Sequence, residues 1–65
     1  MQKISLRAYR VNAGLTIKEV ADKIKVSEAS IRRWEKDKDR LRGASIDDIL
    51  KLCDLYGITL NDIDI

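Results

Sequence analysis

Apolar residues recur along this chain at helical spacing. At about 100° per residue, Ile17, Val20, Ala21 and Ile24 fall within one arc about 100° wide. Lys18, Glu19, Asp22 and Lys23 lie outside it. Ile46, Ile49, Leu50, Cys53 and Tyr56 mark one face of a longer helix, with Leu52 on its border. Leu6, Tyr9 and Ala13 suit one side of a first helix that ends before Gly14. Helix starts are marked too. Thr16 precedes Glu19, Ser45 precedes Asp48 and Thr59 precedes Asp62, each a hydroxyl followed three residues on by an acid that can reach back to it. Ser27 is a fourth cap without the acid. The pattern predicts helices over 4–13, 17–24, 28–36, 46–56 and 60–63, hence an all-α fold forming a single domain over 1–65.

Two gaps shape the arrangement. Lys25-Val26-Ser27 is a three-residue link that holds the second and third helices at a steep angle, as a helix-turn-helix. Asp37 to Ala44 is longer and charged, and reads as a loop.

The third helix then has two distinct sides. Ser27, Ile31 and Trp34 group on one, and Glu28, Ala29, Arg32, Arg33 and Lys36 on the other. Glu35 sits at the border beside Ile31. A short helix whose outer side carries long cationic side chains suits the major groove of DNA. A solvated amphipathic helix has the same pattern, and the spacing does not choose between them.

Composition narrows the field. Sixty-five residues make one small domain with a thin stability margin. One cysteine and no histidine exclude an internal disulfide and the common zinc sites. They also leave Cys53 without a base, and no Gly-rich phosphate loop is present, so the chain reads as no enzyme, with no cofactor and no metal. No apolar run approaches a membrane span, no charged-then-apolar leader is evident and no small-molecule ligand is suggested, so the expected location is cytoplasmic. The net charge of +2 hides a split. Met1 to Arg42 holds twelve Lys/Arg against six Asp/Glu, and Gly43 to Ile65 one against five. A basic front of this kind favours an anionic partner.

An ordered set of residues adds a resemblance. It runs through Leu6, Arg10, Gly14-Leu15-Thr16, Glu19, Val20-Ala21, Ile24, Val26-Ser27, Ser30-Ile31, Trp34-Glu35, Ile49, Lys51-Leu52, Gly57-Ile58-Thr59-Leu60 and Ile63. Across residues 4–63 the chain resembles the lambda-repressor-like helix-turn-helix family, of the Cro and xenobiotic-response-element type. The resemblance implies a compact five-helix DNA-binding domain whose third helix reads bases, as a homodimer on a double-stranded operator. It places Glu28, Ala29 and Arg33 at base-reading positions, with Arg32 close by and Ser27 at the head of the helix. Arg33 would fork onto a guanine and Ala29 would meet a thymine methyl. Glu28 would accept from a cytosine amine or, with more weight, favour the positive end of its helix. The resemblance also implies a phosphate clamp of backbone N–H groups near Thr16, Ile17 and Lys18. Lys36, Lys38, Arg40 and Arg42 would add backbone contacts. Arg10 would pair with Glu35, fixing the first helix to the third, and would also reach a phosphate. Trp34 and Cys53 read as core, Tyr9 and Tyr56 as its edge.

Three departures stand out. Ile17 occupies a position where Gln commonly contacts DNA in the family. Lys25 replaces the usual turn glycine and must go left-handed at some cost. The loop after Lys36 is about three residues longer than the family's. The segment from Thr16 to Trp34 is also similar to the winged-helix part of MerR-type regulators and excisionases, which would put a β-wing within Lys38 to Ser45. The reading favoured is a transcription regulator, a small phage or mobile-element repressor. A protein-interaction module of antitoxin type is the competing class. Leu55 and the tail Asp62-Ile63-Asp64-Ile65 are the candidates for a self-contact.

Overall fold

The computed structural model describes residues 4–63. Asp64 and Ile65, half of the tail expected as a self-contact, lie outside them, as do the first three residues of the expected 1–65 domain. The element order is α1 (Leu6–Asn12), α2 (Ile17–Ile24), α3 (Glu28–Lys36), α4 (Lys38–Arg42), α5 (Ile46–Tyr56) and one 3-10 turn (Leu60–Asp62).

Each helix start has a side-chain cap. Thr16 and Glu19 close a full capping box on α2: the Thr16 hydroxyl accepts from Glu19 N at 3.1 Å, and Glu19 Oε1 accepts from Thr16 N at 2.9 Å. Ser27 accepts from Ser30 N at 3.1 Å, and Ser45 from Asp48 N at 3.2 Å. Ser5 caps α1, its hydroxyl accepting from Ala8 N at 3.2 Å. The Asp62 carboxylate accepts from both Thr59 N, at 2.9 Å, and the Thr59 hydroxyl, at 3.3 Å. Such caps are worth about 0.5–2 kcal/mol each.

Four expectations need correction. The first helix begins at Leu6, not residue 4; Ile4 instead makes an isolated parallel bridge to Ile63, with Ile4 N donating to Asp62 O at 3.2 Å. The last helix is only the 3-10 turn, since Ile63 turns back to extended backbone. Residues 38–42 are a helix, not a loop. Asp37 ends α3 and at once caps α4, its carboxylate accepting from Asp39 N at 2.9 Å, while Leu41 anchors the turn in the core. That helix occupies the segment where a wing would lie, so the winged alternative is overturned. Finally, α5 is rotated from the expected arc. Leu52 is fully buried with Ile49 and Cys53, whereas Ile46 and Leu50 are 58% and 50% exposed. Apolar residues cover most of the circumference of α5, so periodicity alone did not fix which side packs.

The core gathers Leu6, Val20, Ala21, Ile24, Ile31, Trp34, Leu41, Ile49, Leu52, Cys53 and Ile63. Completely burying an aliphatic side chain such as Ile31 contributes about 1.5–3 kcal/mol. α3 packs against α1, α2 and α4, and α5 against α2 and the 3-10 turn. Lys25 takes the left-handed conformation (φ 60°, ψ 49°) expected of the turn, and Val26 N donates to Ala21 O at 3.0 Å across it. No helix among the described residues is long and apolar enough to cross a membrane.

Candidate nucleic-acid interface

Burial of Ile31 and Trp34 fixes how α3 is rotated. The opposite side must then face water, and Ala29, Arg32, Arg33 and Lys36 are exposed there. Arg33 meets no carboxylate among the described residues, and neither do Lys36 or Arg40. Arg33, Lys36 and Arg40, with Asp37, line a shallow cleft where α3 gives way to α4. Three cations with one acid leave this cleft net positive.

Other cations on this side are already engaged. Arg32 Nη2 lies 3.3 Å from Glu28 Oε1, one helical turn back. Arg42 pairs with Asp39 within α4. Both pairs are exposed, so each contributes under about 1 kcal/mol and opens readily. Lys38 is exposed beside them. The Ser27 hydroxyl caps α3 and shares a hydrogen bond with Ser30 Oγ at 3.0 Å.

The start of α2 differs from the expected phosphate clamp. Thr16 N donates to the Glu19 carboxylate and is not available to an anion. This hydrogen bond, followed by that of the Thr16 hydroxyl, holds the Glu19 carboxyl below its ordinary pKa and keeps a negative charge at the helix start. The Ile17 side chain packs against the core. Ile17 and Lys18 therefore offer their N–H groups, which have no acceptor within the helix, and the exposed Lys18 ammonium.

Arg10 leaves the outward set altogether. Its Nε donates to Glu35 Oε2 at 2.7 Å, Nη2 to Glu35 Oε1 at 3.2 Å, and Nη1 to Leu15 O at 3.0 Å. The two side chains are 13% and 7% exposed. Hydrogen bonding to Glu35 raises the Arg10 pKa further, so the guanidinium stays charged. A fork fixed in three directions is not free to reach a phosphate. Nearby, Tyr9 stacks on Tyr56 with centroids 6.3 Å apart, and Tyr9 Oη donates to Asp62 O at 3.2 Å. The Tyr56 hydroxyl is buried without a hydrogen-bond partner among the described residues, and burial pushes its pKa up to about 12.

The structure thus brings Ala29, Arg33 and Lys36 onto one outward side of α3 and adds Arg40 from α4. It separates off Arg10, the Thr16 N–H and the Ile17 side chain. What the sequence pattern missed is α4, which turns Arg40 from a loop residue into one held by a capped helix. The only available signal was Asp37, a good N-cap, followed four residues later by the lone apolar Leu41. Residues 6–63 match the family model described as helix-turn-helix. No curated protein and no solved structure matches the chain.

Proposed function

Since this chain belongs to the helix-turn-helix family, of the lambda-repressor and Cro-like type, whose members bind DNA as regulators, we propose that it is a sequence-specific repressor of a phage or mobile element. α3 enters the major groove of a double-stranded operator. Arg33 reads a guanine and Ala29 a thymine methyl, with Arg32 and Glu28 at the margin. Lys36, Lys38, Arg40 and Arg42 hold phosphates on one flank, and the Ile17 and Lys18 N–H groups do so at the start of α2. Two copies address half-sites about 34 Å apart, in the cytoplasm. The observation that carries this reading is the exposed Arg33, which meets no carboxylate among the described residues.

A selection from a random duplex pool, followed by gel shifts across a salt series, tests it. The expected result is an enriched motif, with log K falling against log salt at about −0.9 per phosphate neutralised. No binding, or binding indifferent to salt, rejects the proposal and leaves a protein-interaction module.

A further inference from the structure

Between Glu28 and Arg42 the chain has neither proline nor glycine, yet it forms two helices and not one. The break falls at Asp37. Its backbone is extended (φ −136°, ψ 114°), and this one residue ends α3 and opens α4. Its N–H donates to Arg33 O at 3.1 Å, its carbonyl accepts from Leu41 N at 3.1 Å, and its carboxylate accepts from Asp39 N at 2.9 Å. Aspartate suits such a bend, because its side chain satisfies a helix-start N–H better than it serves a helix interior.

The break decides where Arg40 goes. An uninterrupted helix would carry Arg40 about 10 Å beyond Arg33 along one axis. With the bend, Arg33, Lys36 and Arg40 line one cleft, and Asp37 sits among them. α4 has five residues, too few to stand alone as a helix. It is held at three points. The Asp37 cap holds its start, and Leu41 holds its middle in the core. At its end Gly43 N donates to Asp39 O at 3.1 Å and to Arg40 O at 3.2 Å. Leu41 and Gly43 secure the back of α4, so the front, with Arg40, depends on Asp37. The Asp37 carboxylate also lies in a cationic surface suited to phosphates, where its own charge repels them. This acid opposes DNA by its charge and serves DNA binding by its cap.

We infer that Asp37 is a positioning residue for operator binding: its cap holds Arg40 beside Arg33 and Lys36, so that the phosphate-gripping arginine and the base-reading one meet the duplex as one unit. The inference rests on the proposed operator reading and adds to it a residue that acts through another. An Arg40 already held in place loses less freedom on binding than an arginine on a frayed helix end. Because cap and charge act in opposite directions, substitution separates them.

Gel shifts of the full chain on the selected operator across a salt series, with melting curves beside them, test it. Asp37→Asn keeps an acceptor for Asp39 N and removes the charge, so affinity should rise about twofold with the salt slope and melting temperature unchanged. Asp37→Ala removes the charge and the cap together. Affinity should then fall about fivefold, and the slope of log K against log salt should become shallower by about 0.9, one phosphate contact. Arg40→Ala should cost about tenfold in wild type and in Asp37→Asn, but under about twofold in Asp37→Ala. A general loss of stability would leave the salt slope and the Arg40 contribution as they were. Asp37→Gly accepts the bend without a side-chain acceptor and carries the same comparison if the alanine variant does not fold. An Asp37→Ala chain that binds as tightly as Asp37→Asn, or an Arg40→Ala loss equal in all three backgrounds, overturns the positioning role and leaves the repressor reading intact. A wild type that enriches no duplex overturns both.

Discussion

Glu28 and Glu35 lie two turns apart on α3, and each faces an arginine, yet the two pairs are physically unlike. Arg10 and Glu35 are nearly sealed from water, joined by two hydrogen bonds, and span α1 to α3. Arg32 and Glu28 are 62% and 44% exposed and belong to the same helix. In water the pair gains little over its hydrated parts, whereas in the interior each charge depends on the other for solvation. The inward pair can therefore fix the position of α3, and the outward pair can open when a ligand arrives. What makes α3 usable is this division: one side committed, the other only loosely held.

The comparison breaks most readily on its inward side. Glu35→Ala leaves a guanidinium that is 13% exposed without its carboxylate, and should cost about 3–5 kcal/mol in urea unfolding. Arg10→Met combined with Glu35→Leu should recover most of that loss, because the penalty lies in the orphaned charge. A loss under about 1 kcal/mol for Glu35→Ala would mean that the buried pair behaves like the exposed one. On the outward side, Arg33→Ala should weaken the selected operator by about 1–3 kcal/mol and relax its base preference. Its melting temperature should not move, since the side chain is exposed and meets no carboxylate among the described residues.

Tyr56 gives a finer probe of the interior. Its buried hydroxyl has no partner among the described residues, so Tyr56→Phe should be neutral or stabilising by about 1 kcal/mol. The raised phenol pKa sets the pH dependence. The folded chain keeps the proton more tightly than the unfolded one, so the contribution is complete below the unfolded value of 10.0 and is lost as pH rises toward about 12. Melting curves across that window should fall more steeply for wild type than for the Phe variant. The smallest effect belongs to Glu28→Gln, which should change stability by no more than about 0.5 kcal/mol. It releases Arg32, so affinity should rise about equally for operator and random duplexes. A fall confined to the operator would make Glu28 a base reader.

The half of the molecule around the turn was legible in the sequence because several signals coincide there. Thr16, Glu19 and Ser27 mark the starts, Val20, Ala21 and Ile24 keep one arc, and Ile31 with Trp34 leaves α3 a single way to face. The outward cations follow from that orientation. α4 was hidden because Leu41 is the only large apolar residue between Asp37 and Ala44, and one residue has no period. The rotation of α5 was hidden for the opposite reason, an excess of apolar positions, of which packing selected Ile49, Leu52 and Cys53. At the candidate site, the conflict at Thr16 was visible in principle. A capping box that uses its N–H cannot also offer that N–H to a phosphate.

The bridge between Ile4 and Ile63 has a consequence during synthesis. Ile63 is wholly buried and is paired with a residue near the opposite end of the chain. Translation delivers it after every other member of the core. While that stretch is still inside the ribosomal tunnel, the helices already outside can form and touch, but the hydrophobic interior lacks its final piece. Completion of this fold therefore waits until Ile63 has left the tunnel, and until then a nascent chain offers proteases and chaperones a domain not yet shut.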